Sequence, residues 1–123
     1  MTRDRYGKIV WVRVFIDRMR GRIAPLSPEA AGVYFRLFFA YLDRQGPLPD
    51  DDPFLASIAQ ISVGRWRTIR RELEGLCIFS VRDGFLYHDI ADERIQEFTA
   101  SSRRNRANVG KRYGQIARLE DAS

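Results

Sequence analysis

The sequence predicts a mainly α single domain with one small β-hairpin, and three observations carry that prediction. Two helix start signals, Ser27-Pro28 and Asp52-Pro53, precede apolar stripes with three- and four-residue steps. A third stripe follows Ser62, and an Asp83-Gly84 pair separates two short strand-like runs.

Taken in order, IVWVRVFID (9–17) has strand-like composition with imperfect alternation, so one short strand or turn is expected there. RMRGRIAP (18–25) reads as loop because of Gly21 and Pro25. The next element is the central core helix, roughly 28–45. Ser27 caps it, Pro28 takes its first position and Glu29 favours the positive end of its dipole, while Gly46 stops it. Ala31, Tyr34, Leu37, Phe38, Tyr41 and Leu42 form its apolar stripe. After the GPLPDDD turn, Asp52 is expected to cap a helix of about two turns that carries Phe54, Leu55, Ile58 and Ala59. Ser62 caps the next, where Trp66, Ile69, Leu73 and Leu76 make an apolar line and Gly75 ends the helix.

A helix, a short break and a second helix form a helix-turn-helix layout. The hairpin that follows, CIFSVRDGFLYHDI (77–90), turns at Asp83-Gly84. Together they predict a winged helix-turn-helix-like single domain over residues 1–100. Asp89 is expected to cap a last helix with Ile90, Ile95 and Phe98 inward. Residues 101–123 form a basic C-terminal tail. Two readings of it stand open: a flexible tail, since Ser, Asn and Gly interrupt its arginines, or a helical extension, since Val109, Tyr113, Ile116 and Leu119 keep helical spacing.

A chain of 123 residues, 45% apolar and 12% aromatic, suffices for one packed core without disulfide or metal. Cys77 stands alone, and its neighbours in GLCIF suggest a buried thiol and a cytoplasmic protein. GVYFRLFFAYL is about half a membrane span and contains Arg36, and the N-terminus lacks a signal-peptide pattern, so a soluble chain with no membrane partner is expected.

The net charge of +5 is unevenly placed. Residues 1–26 hold seven basic and two acidic residues, 62–76 four and two, and 101–123 six and two, whereas 27–61 and 77–100 each come to −3. Three basic islands among acidic segments are the footprint expected for a polyanion partner, or a solvated surface with none.

Catalysis finds little support. His88 is the only histidine and Cys77 the only cysteine, so no zinc-like spacing exists, and His88 reads as a strand-end or capping residue. No nucleophile elbow is present, and NVGKRYG lacks both the upstream glycine and the following Ser/Thr of a P-loop. Asp50, Asp51 and Asp52 could attract a cation, but acids at a helix start are favoured on their own account. No enzyme, cofactor or metal is expected.

The basic run on the Ser62-capped helix is the sharper signal. Trp66, Ile69, Leu73 and Leu76 project to one side, and Gly64, Arg67, Thr68 and Arg71 to the other, with Arg65 and Arg70 flanking the stripe. Arginine forks suit phosphates and guanine edges, threonine can meet a thymine methyl, and glycine permits close approach. Double-stranded DNA is therefore the expected partner of Arg65, Arg67, Thr68, Arg70 and Arg71. Arg82 at the hairpin tip reads equally as a phosphate contact or as a plain turn residue. In the tail, Arg103, Arg104, Arg106, Lys111 and Arg112 suit phosphate contact.

FID, then the stretch from PLSPEAAGVY through GPLPDDD to SVGRWRTIRREL, and finally DGFLYHDIADERI resemble the YdaU-like family of phage and prophage proteins over about residues 15–97. Asp17, Leu26, Gly32, Tyr34, Gly46, Leu48, Pro49, Asp50, Asp51, Trp66 and His88 fit its pattern, and Arg22, Ile23, Ala24 and Pro25 depart from it. The resemblance implies a winged-helix-like, non-catalytic protein of DNA replication initiation or its control, with replication proteins as further partners. Two alternatives remain: a transcriptional regulator of the same fold, open to homodimer formation, or a protein-binding adaptor using the basic surface.

Overall fold

The computed structural model describes residues 2–3, 9–14 and 16–104. The fold is mainly helical with a small three-stranded antiparallel sheet. In chain order the elements are β1 (Thr2–Arg3), β2 (Ile9–Trp11), α1 (Ile16–Ile23), α2 (Pro28–Arg44), β3 (Leu48–Pro49), α3 (Asp52–Ala59), α4 (Val63–Gly75), β4 (Ser80–Arg82) and β5 (Phe85–Tyr87). A last helix, α5, follows over residues 89–104. β1 and β2 pair with each other, and the other three strands lie in the order β3-β5-β4.

α2 is the centre of the core. Its buried stripe of Ala30, Val33, Tyr34, Leu37, Phe38, Tyr41 and Leu42 packs with Leu55, Ala56, Ala59, Trp66, Ile69, Leu73 and Leu86. Ser27 caps it as expected, its Oγ accepting from the Ala30 N–H at 3.2 Å. The helix closes on Gln45 in the left-handed region at φ 61°, one residue before the expected stop at Gly46. α4 starts on Ser62, which accepts from the Arg65 N–H. In the hairpin, Asp83 and Gly84 both have positive φ, 52° and 78°. That is the type I′ geometry whose twist matches the flanking strands.

Five expectations are corrected. RMRGRIAP is not loop, since its first six residues belong to α1. Met19 is buried beneath the Tyr34 hydroxyl, and the helix is tied to α5 by Arg18–Glu93 at 2.6 Å and Arg22–Asp89 at 2.5 Å. Contacts this distant in sequence outweigh local propensity. α3 is capped by Asp51, whose carboxylate accepts from the Phe54 N–H, not by Asp52. α5 begins with His88 in the cap position, its Nδ1 accepting from the Ala91 N–H at 3.1 Å, whereas Asp89 accepts from the adjacent Ile90 N–H. The Cys77 thiol is exposed. Cys77 takes the left-handed position after α4, φ 54°, so its side chain turns outward while Ile78 donates back to Leu73 O. Leu76, placed on the apolar line, is 41% exposed because the helix has already ended at Gly75.

Candidate nucleic-acid interface

α4 is locked to the body along both edges, which determines what its free face offers. On one edge Arg65 pairs with Glu29 of α2, and Ser27 Oγ donates to Glu72 at 3.0 Å. On the other, the Trp66 indole N–H donates to Asp52 at 2.8 Å, and Asp52 also takes Arg70 at 2.8 Å and Arg67 at 3.3 Å. Arg70 reaches Asp50 at 2.6 Å and Glu74 at 2.7 Å as well, and is only 18% exposed. The Asp50–Asp52 run therefore caps α3 through Asp51 and bolts α3 to α4 through its outer two members.

The ionisations follow the geometry. The Trp66 N–H, with Arg70 and Arg67, holds the Asp52 carboxyl below its ordinary value against the opposing effect of burial. Burial alone would depress the Arg70 guanidinium, but hydrogen bonds to Asp50, Glu74 and Asp52 more than offset it and raise it above the usual arginine value. Arg65 lowers Glu29 in the same way. Removing Arg70 takes the ion pair from Asp50 and leaves Asp52 with only the Trp66 indole and Arg67. Arg70→Ala is accordingly expected to destabilise by about 2 kcal/mol in urea unfolding, as for a hydrogen-bonded charged group that is mostly shielded. Arg65→Ala, which opens an exposed pair, should leave the midpoint unchanged.

What remains outward on α4 is a strip of Gly64, Thr68, Arg71 and Gly75, all exposed. A Cβ at either glycine would meet nothing within 4 Å. Thr68 Oγ1 donates to the Gly64 carbonyl at 3.3 Å. The Arg71 side chain has no hydrogen bond or ion pair among the described residues. Beside α4, Trp66, Leu73, Phe79, Val81 and Leu86 line a shallow apolar seam between helix and hairpin, with Arg70 and Glu74 at its rim. At the hairpin tip the Arg82 guanidinium lies over the Tyr87 ring, 4.1 Å from its centroid.

The structure thus distributes the sequence-predicted residues in three groups. Arg65, Arg67 and Arg70 are engaged by acids of the same chain. Thr68, Arg71 and Arg82 face solvent without an ion pair among the described residues. Arg103 and Arg104 sit on the last described turn of α5, with Arg104 donating to Ser101, while Arg106, Lys111 and Arg112 lie outside the described residues, as does most of the 101–123 tail.

Two features escape sequence reasoning. Glu29, Asp50 and Asp52 of segment 27–61 land on α4 arginines, and Asp89, Glu93 and Glu97 of segment 77–100 land on the first basic island, where Arg13–Glu97 adds to the two α1–α5 pairs. Residues 12–104 hold 14 arginines against 13 acids, a net of +1, so the excess positive charge lies in the flanks. The second feature is the burial of His88. Its Nε2 stands 2.9 Å from the Tyr34 hydroxyl, which in turn reaches Met19 Sδ, and Tyr41 accepts from the His88 N–H and donates to Asp92. With Nδ1 occupied as an acceptor, the neutral ring carries its proton on Nε2. Burial pushes His88 down to about 4 and Tyr34 up to about 12.

Among the described residues no cluster of His, Cys, Asp or Glu is placed to hold a metal, and no helix is long and apolar enough to cross a membrane. No curated protein and no solved structure matches the chain. One family model, described as a protein of unknown function (DUF1376), matches residues 10–96, a span that runs from β2 into α5 and includes all of α4 and the hairpin. The chain belongs to the DUF1376 family.

Proposed function

We propose that this chain is a winged-helix protein that binds duplex DNA without catalysing a reaction, with α4 as its reading helix and the β4–β5 hairpin as its wing. The observation that carries the reading is the order helix, strand, helix, helix, hairpin from α2 to β5, with the first strand returning to pair β5. That order sets the hairpin beside α4 across the apolar seam, and Gly64, Thr68, Arg71 and Arg82 are all exposed. Buried, neutral and engaged at both ring nitrogens, the only histidine has a structural part, which favours binding over catalysis. The resemblance to YdaU-like phage and prophage proteins supports replication initiation or its control as the setting. A transcriptional regulator would use the same face.

The test is a fluorescence-anisotropy titration of labelled duplexes at several salt concentrations. Binding is expected at low salt, weakening with a log–log slope of about −0.9 per phosphate neutralised. Absence of binding to any duplex at about 50 mM salt, where phosphate contacts are strong, would refute the reading. It would promote a second one, a protein-binding adaptor. The near-neutral body and the 61% exposed Phe39, stacked on Phe35 along α2, favour that alternative.

A further inference from the structure

We propose that α4 reads a guanine and a neighbouring thymine in the major groove, the guanine through Arg71 and the thymine methyl through Thr68. This deepens, and rests on, the DNA-binding reading above. The four α4 arginines are not equivalent. Arg65 is held by Glu29, Arg67 by Asp52, and Arg70 by Asp50, Asp52 and Glu74, so each would have to exchange an existing carboxylate partner for DNA. Arg71 alone among them has no such partner within the described residues and stands in the middle of the outward strip.

Position on the helix assigns the roles. A helix seated in the major groove turns its outward strip to the base edges and its two flanks to the phosphate ridges. The groove is barely wider than a helix with its side chains, so depth depends on small residues at the crest. Gly64 and Gly75 supply them, each with open space where a Cβ would be. Arg71, lying between them, can present its fork to guanine O6 and N7. One turn earlier, Thr68 already donates its hydroxyl proton to the Gly64 carbonyl, which leaves its γ-methyl as the apolar group offered outward. A methyl suits the C5-methyl of thymine. Arg65 and Arg67, on opposite flanks, are placed for phosphates and carry no base information.

The experiment begins with selection of preferred duplexes from a random pool by the full chain, followed by anisotropy on the preferred and a scrambled duplex. Wild type is expected to prefer a duplex containing adjacent or next-adjacent G and T. Arg71→Ala should lower the preferred-to-scrambled affinity ratio by roughly 5- to 150-fold, the factor set by one bidentate base contact. Arg71→Lys should keep affinity for the scrambled duplex, because the charge remains, yet lose most of the ratio, because the fork is gone. Replacing the thymine by deoxyuridine should weaken wild type but not further weaken Thr68→Ser. Arg36→Ala, which removes one positive charge from the exposed side of α2, should leave the ratio unchanged.

Retention of the wild-type ratio by Arg71→Lys would overturn the proposal, because Arg71 would then act only as a point charge. Wild-type binding without any sequence preference would overturn it as well, while leaving DNA binding itself intact. Failure of wild type to bind any duplex is a different result, which removes the DNA-binding reading and this inference together.

Discussion

Trp66→Ala is expected to destabilise the fold by about 3–5 kcal/mol, as for a large aromatic removed from a packed core. The ring is fully buried, at 0% exposure, at the junction of α3, α4 and the hairpin seam. Two losses add. The cavity left behind is lined by Leu73, Phe79 and Leu86, which can relax only partly, and Asp52 loses the indole N–H that helps keep it ionised beside Arg70. Urea unfolding followed by far-ultraviolet circular dichroism measures it. Trp66→Phe, which keeps most of the apolar contact but not the N–H, should lose a smaller part, about 1–2 kcal/mol. A variant Trp66→Ala as stable as wild type would mean that α4 is rotated relative to the arrangement described, with a different face in the core.

Acidification should also cost about 3 kcal/mol between pH 7 and pH 4, the equivalent of lowering His88 from 6.5 to about 4. The sign follows from proton counting. Above pH 6.5 the ring is neutral in both states and contributes no pH dependence. Between 6.5 and 4 the unfolded chain binds a proton that the folded chain refuses, so the unfolded state gains and stability falls with falling pH. Geometry gives the refusal its cause beyond burial. A protonated ring would have to present an N–H at Nδ1 to the Ala91 N–H, and the α5 cap would be lost. His88→Gln should be less stable at pH 7 and nearly flat from pH 7 to pH 5. Its acid loss should shift to the range where Glu29, Asp52 and Glu93, all held below their ordinary values by arginine partners or the Trp66 indole, take up protons. An undiminished slope in that variant would show that the titrating group lies elsewhere.

Both predictions concern residues whose importance the sequence conveys unequally. α2, α3 and α4 are legible because cap, proline and apolar spacing agree over many residues, and the hairpin because an Asp-Gly pair at positive φ favours one turn type. α1 is not legible. IDRMRGRI has three arginines, a glycine and a sparse stripe, and its support comes from Tyr34, Asp89 and Glu93, none of them near it in sequence. β3 is two residues long with a proline, too short for any periodicity, and exists because β5 offers it an edge. His88 could be singled out as the only imidazole, but nothing in FLYHD says that it lies beneath two tyrosines.

The candidate interface divides in the same way. Helical spacing puts Trp66, Ile69 and Leu73 inward and Thr68 and Arg71 outward, and the structure bears this out. Counting charge along the chain finds basic islands and acidic segments, but not that they meet. Folding brings Glu29, Asp50 and Asp52 onto α4 and Asp89, Glu93 and Glu97 onto the N-terminal arginines, which ties up three arginines in each of two islands. An excess of arginine in sequence is therefore an upper bound on what a partner can use, and here the margin left on α4 is one residue.

With one side of α4 packed in the core, the other is expected to meet duplex DNA, and backbone amide shifts of the labelled protein, mapped by NMR as a duplex is added at low salt, decide it. Perturbations are expected at Gly64, Thr68, Arg71 and Gly75 and at the hairpin tip around Arg82 to Gly84, while the outer face of α2 around Phe35 and Phe39 stays silent. Shifts concentrated at Phe35 and Phe39, with α4 and the hairpin unmoved, would contradict it.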